Sequence, residues 1–238
     1  MEEWSWAAFL SYLASPDVLR GVWTTTWLTA VSMVLGLAIG LCGAVLYRLN
    51  NRIVSALYVA YVTLLRGTPL LVQLYFMYNG LPKLGIRLDV AQAAILALSL
   101  NEGAYLAEVI RSGIDAVSKG QSEAAKALGM TYPQMMRYVI LPQAFRTIAP
   151  VIGNQVNGLL KSTSLVSVIS MEELFRSTEE LRQSSFRTLE CFAVALFYYL
   201  LLTTTWSLIQ RQLERRLDVP KGRNERPRQA RLVLPEVA

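Results

Sequence analysis

Histidine is absent from the 238 residues of this chain, and cysteine occurs only at Cys42 and Cys191. The first absence removes imidazole metal ligands, imidazole general bases and the Ser-His-Asp type of hydrolase in one step. Both cysteines fall in apolar stretches, where a thiol behaves as a small hydrophobe, so no disulfide is expected. The phosphate-binding pattern G-x-x-x-x-G-K-[ST] occurs nowhere in the chain. The segment LPKLGIRLD has glycine and lysine without that spacing, so the chain is not expected to cradle ATP or to need a cofactor of its own. Charge is scarce as well: 17% of residues are charged against 53% hydrophobic, too apolar for an ordinary soluble domain.

Long apolar runs take the place of charge. Residues 21–47, between Arg20 and Arg48, and 191–210, between Glu190 and Arg211, contain no charge and are long enough to cross a bilayer at ~20 residues per helix. Three further runs, 53–78, 90–109 and 139–160, carry charged or amide residues that must face protein or a water-filled path. The expectation is an all-α multi-pass membrane protein with about five crossings and termini on opposite sides. With the N-terminus outside, the inner segments hold 14 Lys and Arg and the outer segments six, which sets the C-terminus in the cytoplasm. The net charge of +6 then reads as inner-face charge, not as a nucleic-acid surface. The start, MEEWSW, lacks the basic region of a signal peptide, and Trp4, Trp6 and Trp23 suit an interfacial anchor. Residues 1–20 are thus an extracytoplasmic segment, 21–212 the transmembrane domain, and 213–238 a Pro- and Arg-rich tail expected to fray beyond Leu217.

The longest inner loop holds SKGQSEAAKALGMTYPQ, residues 118–134. Ser118 and Gln121 have capping-box spacing, Gly129 suits the left-handed residue that ends a helix, and Thr131 with Gln134 repeats the capping spacing. Two short helices meeting at Gly129 are expected, with Ala124, Ala125 and Leu128 forming a small apolar face and Glu123 and Lys126 the polar side. Such a unit either packs on its own protein or serves as a knob for a partner.

The run EAAKALGMTYPQMMRYVILPQAFR resembles the EAA loop of the membrane subunits of ATP-binding-cassette importers, through Glu123, Ala124, Ala125, Gly129, Ile140, Leu141 and Pro142. RGTPLLVQLYF, NEGAYLAEVIRSGI and KSTSLVSVI look like the polar-amino-acid branch of that family. The resemblance implies the type I importer fold, with a coupling loop over about 118–142 whose Glu123, Ala124, Ala125, Leu128 and Gly129 contact a separate ATPase subunit. That subunit would bind ATP and magnesium. The resemblance also implies an extracytoplasmic solute-binding protein, a second permease copy or a homologous permease, and residence in the inner membrane of a bacterium among its lipids. A self-sufficient channel or secondary transporter is the alternative, but it predicts internal repeats and leaves the EAA helix without a purpose.

For the path itself, Pro150, Asn154, Asn157 and Lys161 recur at helical spacing, and Asn101, Glu102, Tyr105 and Glu108 form a second stripe. A charge at mid-bilayer costs ~2.5–3.5 kcal/mol, so Glu102 is read either as a path or gating residue or as half of an internal ion pair. Arg66, before Gly67-Thr68-Pro69, is its partner or a guide for a carboxylate. Glu108 pairs with Arg111 or meets solute, Arg146 snorkels to the inner face, and the two asparagines either meet solute or join helices. Ser162 stands where many members of the family have Asp, which leaves any match to an ammonium group to Glu102 or to a partner permease. The path set is therefore Arg66, Thr68, Asn101, Glu102, Asn154, Asn157, Lys161 and Ser162. Beyond it, SMEELFRSTEELRQSS reads as an outer amphipathic helix begun by a Ser170/Glu173 capping pair.

Overall fold

The structure is a computed structural model in which residues 4–49 and 51–217 are described; most of the expected tail, 218–238, lies outside the described residues. Among the described residues ten α-helices follow one another: α1 Trp6–Leu13, α2 Pro16–Tyr47, α3 Arg52–Gly67, α4 Leu70–Tyr75, α5 Val90–Asp115, α6 Lys119–Ala127, α7 Tyr132–Met135, α8 Leu141–Ser162, α9 Leu174–Ser185 and α10 Thr188–Arg216. No strand occurs among the described residues.

Length and composition select α2, α5 and α10 as membrane spans, and α3 with the segment through Leu84 qualifies as one span bent by 105°. At 22 residues α8 has the length of a crossing, but its amides and lysine dilute its apolar character. The five expected runs thus all fold as helix, with the second run broken at Gly67-Thr68-Pro69. Pro69 lacks an N–H, and the residue before it, Thr68, is extended at φ −118° and ψ 146°. The outer runs extend further than charge alone suggested. The first spanning helix, α2, begins at Pro16, inside the expected 1–20 segment, and α10 continues through Arg216, past the expected boundary at 212.

The centre of the bundle is the α2–α5 pair, the most extensive helix pairing among the described residues. It depends on small residues. A Cβ on Gly40 would stand 2.8 Å from Leu106 Cβ and 2.9 Å from the Ala107 nitrogen, and a Cβ on Gly36 would stand 3.1 Å from Glu102 Cβ. Backbones that approach this closely gain dispersion contacts that lipid cannot replace. Packed on the pair is α8, and α10 lies against α8, α9 and α1, with Trp206 Nε1 on α10 donating to Gly153 O on α8 at 2.8 Å.

At the other end from α6, the first cap of α9 differs from expectation. Ser170 is not the N-cap; it ends the preceding 3-10 turn at φ +67°. Glu173 takes that place, accepting from the Phe175 and Arg176 N–H groups at 3.0 and 2.8 Å and from Tyr199 Oη at 2.8 Å. A wholly buried carboxylate satisfies the helix end here and ties α9 to α10.

Gly40→Leu should force α2 and α5 apart, an overpacking cost of about 1–3 kcal/mol. A lower thermal unfolding midpoint in detergent checks this, with Gly43→Ala, whose added methyl finds ordinary contact distances, as the control.

Candidate functional site

Two regions carry polar groups that an ordinary membrane bundle would not keep: the elbow of the second span with the adjoining faces of α5 and α8, and the α6–α7 corner.

Breaking the helix at Gly67-Thr68-Pro69 frees backbone carbonyls at membrane depth, where each lost partner is costly. Gln73 Nε2 donates to Leu65 O at 2.8 Å, to Thr68 O at 3.1 Å and to Thr68 Oγ1 at 2.9 Å. Asn101 Nδ2 donates to Leu65 O and to Gln73 Oε1, both at 3.0 Å. Two amides therefore stitch the elbow and anchor it to α5. Asn101 belonged to the sequence-based path set, and Thr68 also bonds back to Leu64 O. Gln73 was not in that set, because a lone Gln in an apolar run gives no spacing signal.

The elbow borders a polar cavity of about 510 Å³. Of the eight expected path residues, Arg66, Thr68, Asn101, Glu102 and Ser162 line it. Asn154, Asn157 and Lys161 do not. Asn157 Nδ2 donates to Ser207 Oγ on α10 at 3.2 Å, and Gln210 of α10 reaches Pro150 O and Asn154 Oδ1 at 3.3 and 3.5 Å. These amides join helices, and Lys161 is exposed outside the cavity wall. The α8 wall consists of Gln155, Gly158, Leu159 and Ser162, of which Gln155, Gly158 and Ser162 repeat the same spacing shifted by one residue, a rotation of ~100°. Tyr105 of α5 completes the wall.

Glu102 is buried at 6% exposure. Its Oε1 accepts from Gln155 Nε2 at 3.2 Å, and it forms no ion pair among the described residues. The expected partnership with Arg66 is not observed: Arg66 Nη1 lies 3.7 Å from Glu108 Oε2 instead. Glu108 is saturated. Arg111 grips it bidentately at 3.0 Å on each oxygen, and Tyr58 Oη donates at 2.7 Å. Arg111 and Arg48 then share Asp115 at 3.1 and 2.6 Å. The i, i+3 pair read from sequence is thus one link in a network joining α2, α3 and α5. Glu102 has a single neutral donor, too little to repay burying a full charge.

At the corner, Gly129 adopts φ +74°. Met130 N donates to Ala125 O at 3.1 Å and Gly129 N to Lys126 O at 2.9 Å, the paired bonds of a Schellman ending. Gln134 Oε1 accepts from Thr131 N at 2.8 Å, so the second capping pair forms. The first does not. Ser118 sits at the N-cap without a side-chain bond, and Gln121 Oε1 accepts from Gln143 of α8 at 3.2 Å, fastening α6 to the bundle. The expected apolar face is divided. Ala125, 2% exposed, packs inward against Met135 and Ile140, while Ala124 and Glu123 are exposed and Leu128 is 78% exposed. One side of the corner therefore packs on its own protein, and the other is exposed.

Comparison with known proteins matches residues 32–219 to the family described as binding-protein-dependent transport system inner membrane component. The glutamine transport system permease protein GlnP of Escherichia coli (strain K12) is 35% identical over 91% of this chain and 99% of its own. The arginine transport system permease protein ArtQ of Bacillus subtilis (strain 168) is 38% identical over 85% of this chain and 93% of its own. A crystal structure of an amino acid ABC transporter with histidines superposes with a TM-score of 0.85 at 36% identity, covering 90% of this chain and all of that one.

Gln73→Leu should leave the Thr68 carbonyl without its donor, at about 1–3 kcal/mol, while Leu65 O keeps Asn101 Nδ2. The expected outcome is a lower thermal unfolding midpoint, whereas Gln73→Glu, which keeps the length but turns the donor into an acceptor, should be no better than Leu.

Proposed function

The chain belongs to the family of binding-protein-dependent transport system inner membrane components, and from that premise we propose that it forms the translocation path for a polar amino acid and is driven by an ATPase on a separate chain. Its place is the inner membrane, and the importers of its family work with an ATPase and a solute-binding protein. The observation that carries the reading is the conjunction of two features on one helix, α5. Its middle holds the under-compensated Glu102 in a polar cavity, and its end leads directly into α6, which presents Glu123, Ala124 and Leu128.

The division of labour follows from the side chains. Leu128, Ala124 and Glu123 form the contact with the ATPase; Ala125 fixes the corner from inside, and Gly129 sets the angle between α6 and α7. Motion imposed on α6 passes to α8 through Gln121–Gln143 and to α5 through the short link 116–118. In the cavity, Glu102 is the counter-charge for a substrate ammonium and Arg66 for a carboxylate. Thr68, Asn101 and Ser162 supply neutral donors and acceptors, as a pocket for a zwitterion requires. GlnP and ArtQ, a glutamine and an arginine permease by name, support the amino-acid class. Ser162 is neutral, which leaves Glu102 as the carboxylate in the cavity wall. The lysine and arginine balance supports a cytoplasmic α6 and an outer N-terminus. A second permease, identical or homologous, would complete the path.

Gly129→Val places a β-branched residue at positive φ, at ~1–2 kcal/mol, and should skew the corner. Transport by membranes containing the complex should fall at least about tenfold while the protein still inserts, and Glu123→Lys should act similarly at the contact. Wild-type uptake and ATPase stimulation in both variants would remove the coupling assignment.

Glu102→Gln keeps shape and removes charge. Uptake of a zwitterionic or cationic amino acid into reconstituted vesicles should drop by about tenfold, ~1.4 kcal/mol, with ATPase assembly and solute binding by the binding protein unchanged. Unchanged uptake would reduce Glu102 to a helix-packing residue.

A further inference from the structure

A second polar cavity, of about 450 Å³, lies beside the one that holds Glu102. It is displaced along the bundle toward α6. Its α5 wall includes Ser112, Gly113 and Ala116 at the end of that helix, and its α8 wall includes Thr147 and Val151 near the start of that one. The α5 wall of the first cavity begins at Asn101. From Asn101 to Ala116 a helix rises ~22 Å, so the two cavities together span much of a ~30 Å hydrocarbon layer.

The cavities meet at three side chains common to both walls: Arg66, Tyr105 and Gln155. Two of the three, Arg66 and Gln155, are long, flexible side chains. The Arg66 guanidinium lies over the Tyr105 ring with its carbon 5.1 Å from the centroid. Its ion pair with Glu108, at 3.7 Å, is the longest in that network, the others being 2.6 to 3.1 Å. Arg66 stands immediately before the elbow, where the helix ladder is already interrupted. It is thus the charged group least committed to its present place, and it occupies the passage.

We propose that the solute passes from the first cavity to the second, and that Arg66 and Tyr105 form the gate between them. The gate is closed with the guanidinium on the ring, where Arg66 also lies 3.7 Å from Glu108, and open when a solute carboxylate draws Arg66 off the ring. This rests on the permease reading above and gives it an exit. A planar guanidinium binds a carboxylate bidentately better than it binds an aromatic face, so a solute bearing a carboxylate competes for the group that blocks its way. Solutes without an anionic group lack that means of opening it.

The test is thiol accessibility in the reconstituted complex with its ATPase. The background carries Cys42→Ser and Cys191→Ala, with one cysteine introduced at Ser162 in the first cavity or at Ser112 in the second. A membrane-impermeant thiol reagent is added at the face that carries α6. Ser112→Cys should react readily and Ser162→Cys slowly. Adding Tyr105→Ala should raise the Ser162→Cys rate by about tenfold and leave the Ser112→Cys rate unchanged. Tyr105→Phe keeps the ring and should behave as wild type. Should Tyr105→Ala not assemble, Arg66→Lys, which loses the planar stack but keeps the charge, should raise the Ser162→Cys rate in the same way. A rate at Ser162→Cys that ignores these changes, or a Ser112→Cys shielded from that face, overturns the gate. Labelling needs no transported solute, so amino-acid uptake by the cysteine-free parent tests the permease reading separately.

Discussion

The close contact of α2 with α5 is the constraint on which the other parts depend. Without a side chain at Gly36 and Gly40, α5 settles against the α2 backbone, and a Cβ on Gly103 would in turn meet Ile39 at 2.7 Å. Lipid offers apolar surface as good as leucine, so only tight packing and hydrogen bonds hold such a pair together. Once α5 is fixed, so are Asn101, Glu102, Glu108 and Arg111 along it and α6 beyond its end. Local geometry at α5 therefore sets both the cavity and the direction in which the α6–α7 corner is offered.

The elbow illustrates how a membrane protein opens polar space without losing its backbone bonds. Gly67-Thr68-Pro69 interrupts one ladder, and the amides of Gln73 and Asn101 replace it with four donated bonds to oxygens at the break and a fifth between themselves. Those amides face the break, so the freed carbonyls are not left to hydrocarbon. The same amides bind the second span to α5, and a cavity wall that would otherwise be a weak point becomes a fixed edge.

The two glutamates of α5 lie about one and a half turns apart and meet opposite fates. Glu108 is enclosed by Tyr58, Arg111 and Arg66 in a network that ends on Arg48 and Asp115, an arrangement that locks three helices together. Glu102 has one amide donor. Residues of one type on one helix thus separate into a structural member and a group with binding capacity to spare, and the neighbours make the difference.

The sequence by itself determined the helical, membrane-spanning class, the five apolar runs, the Gly129 corner and the i, i+3 pairing of Glu108 with Arg111. Each rests on spacing along the chain or on an apolar run, and the helical repeat is a local property. It did not determine which way a helix is turned. On α8 polar residues occupy neighbouring stripes, Asn154 and Asn157 on one, Gln155 and Ser162 on the next, and the period alone favours neither. Ser207 and Gln210, more than forty residues further on, absorb the first stripe and leave the second to the cavity. Likewise Ala125 reads as one of three equivalent apolar residues until Met135 and Ile140 cover it and leave Leu128 exposed. Tertiary structure decided these points because burial and pairing belong to contacts between distant segments, which no local pattern encodes.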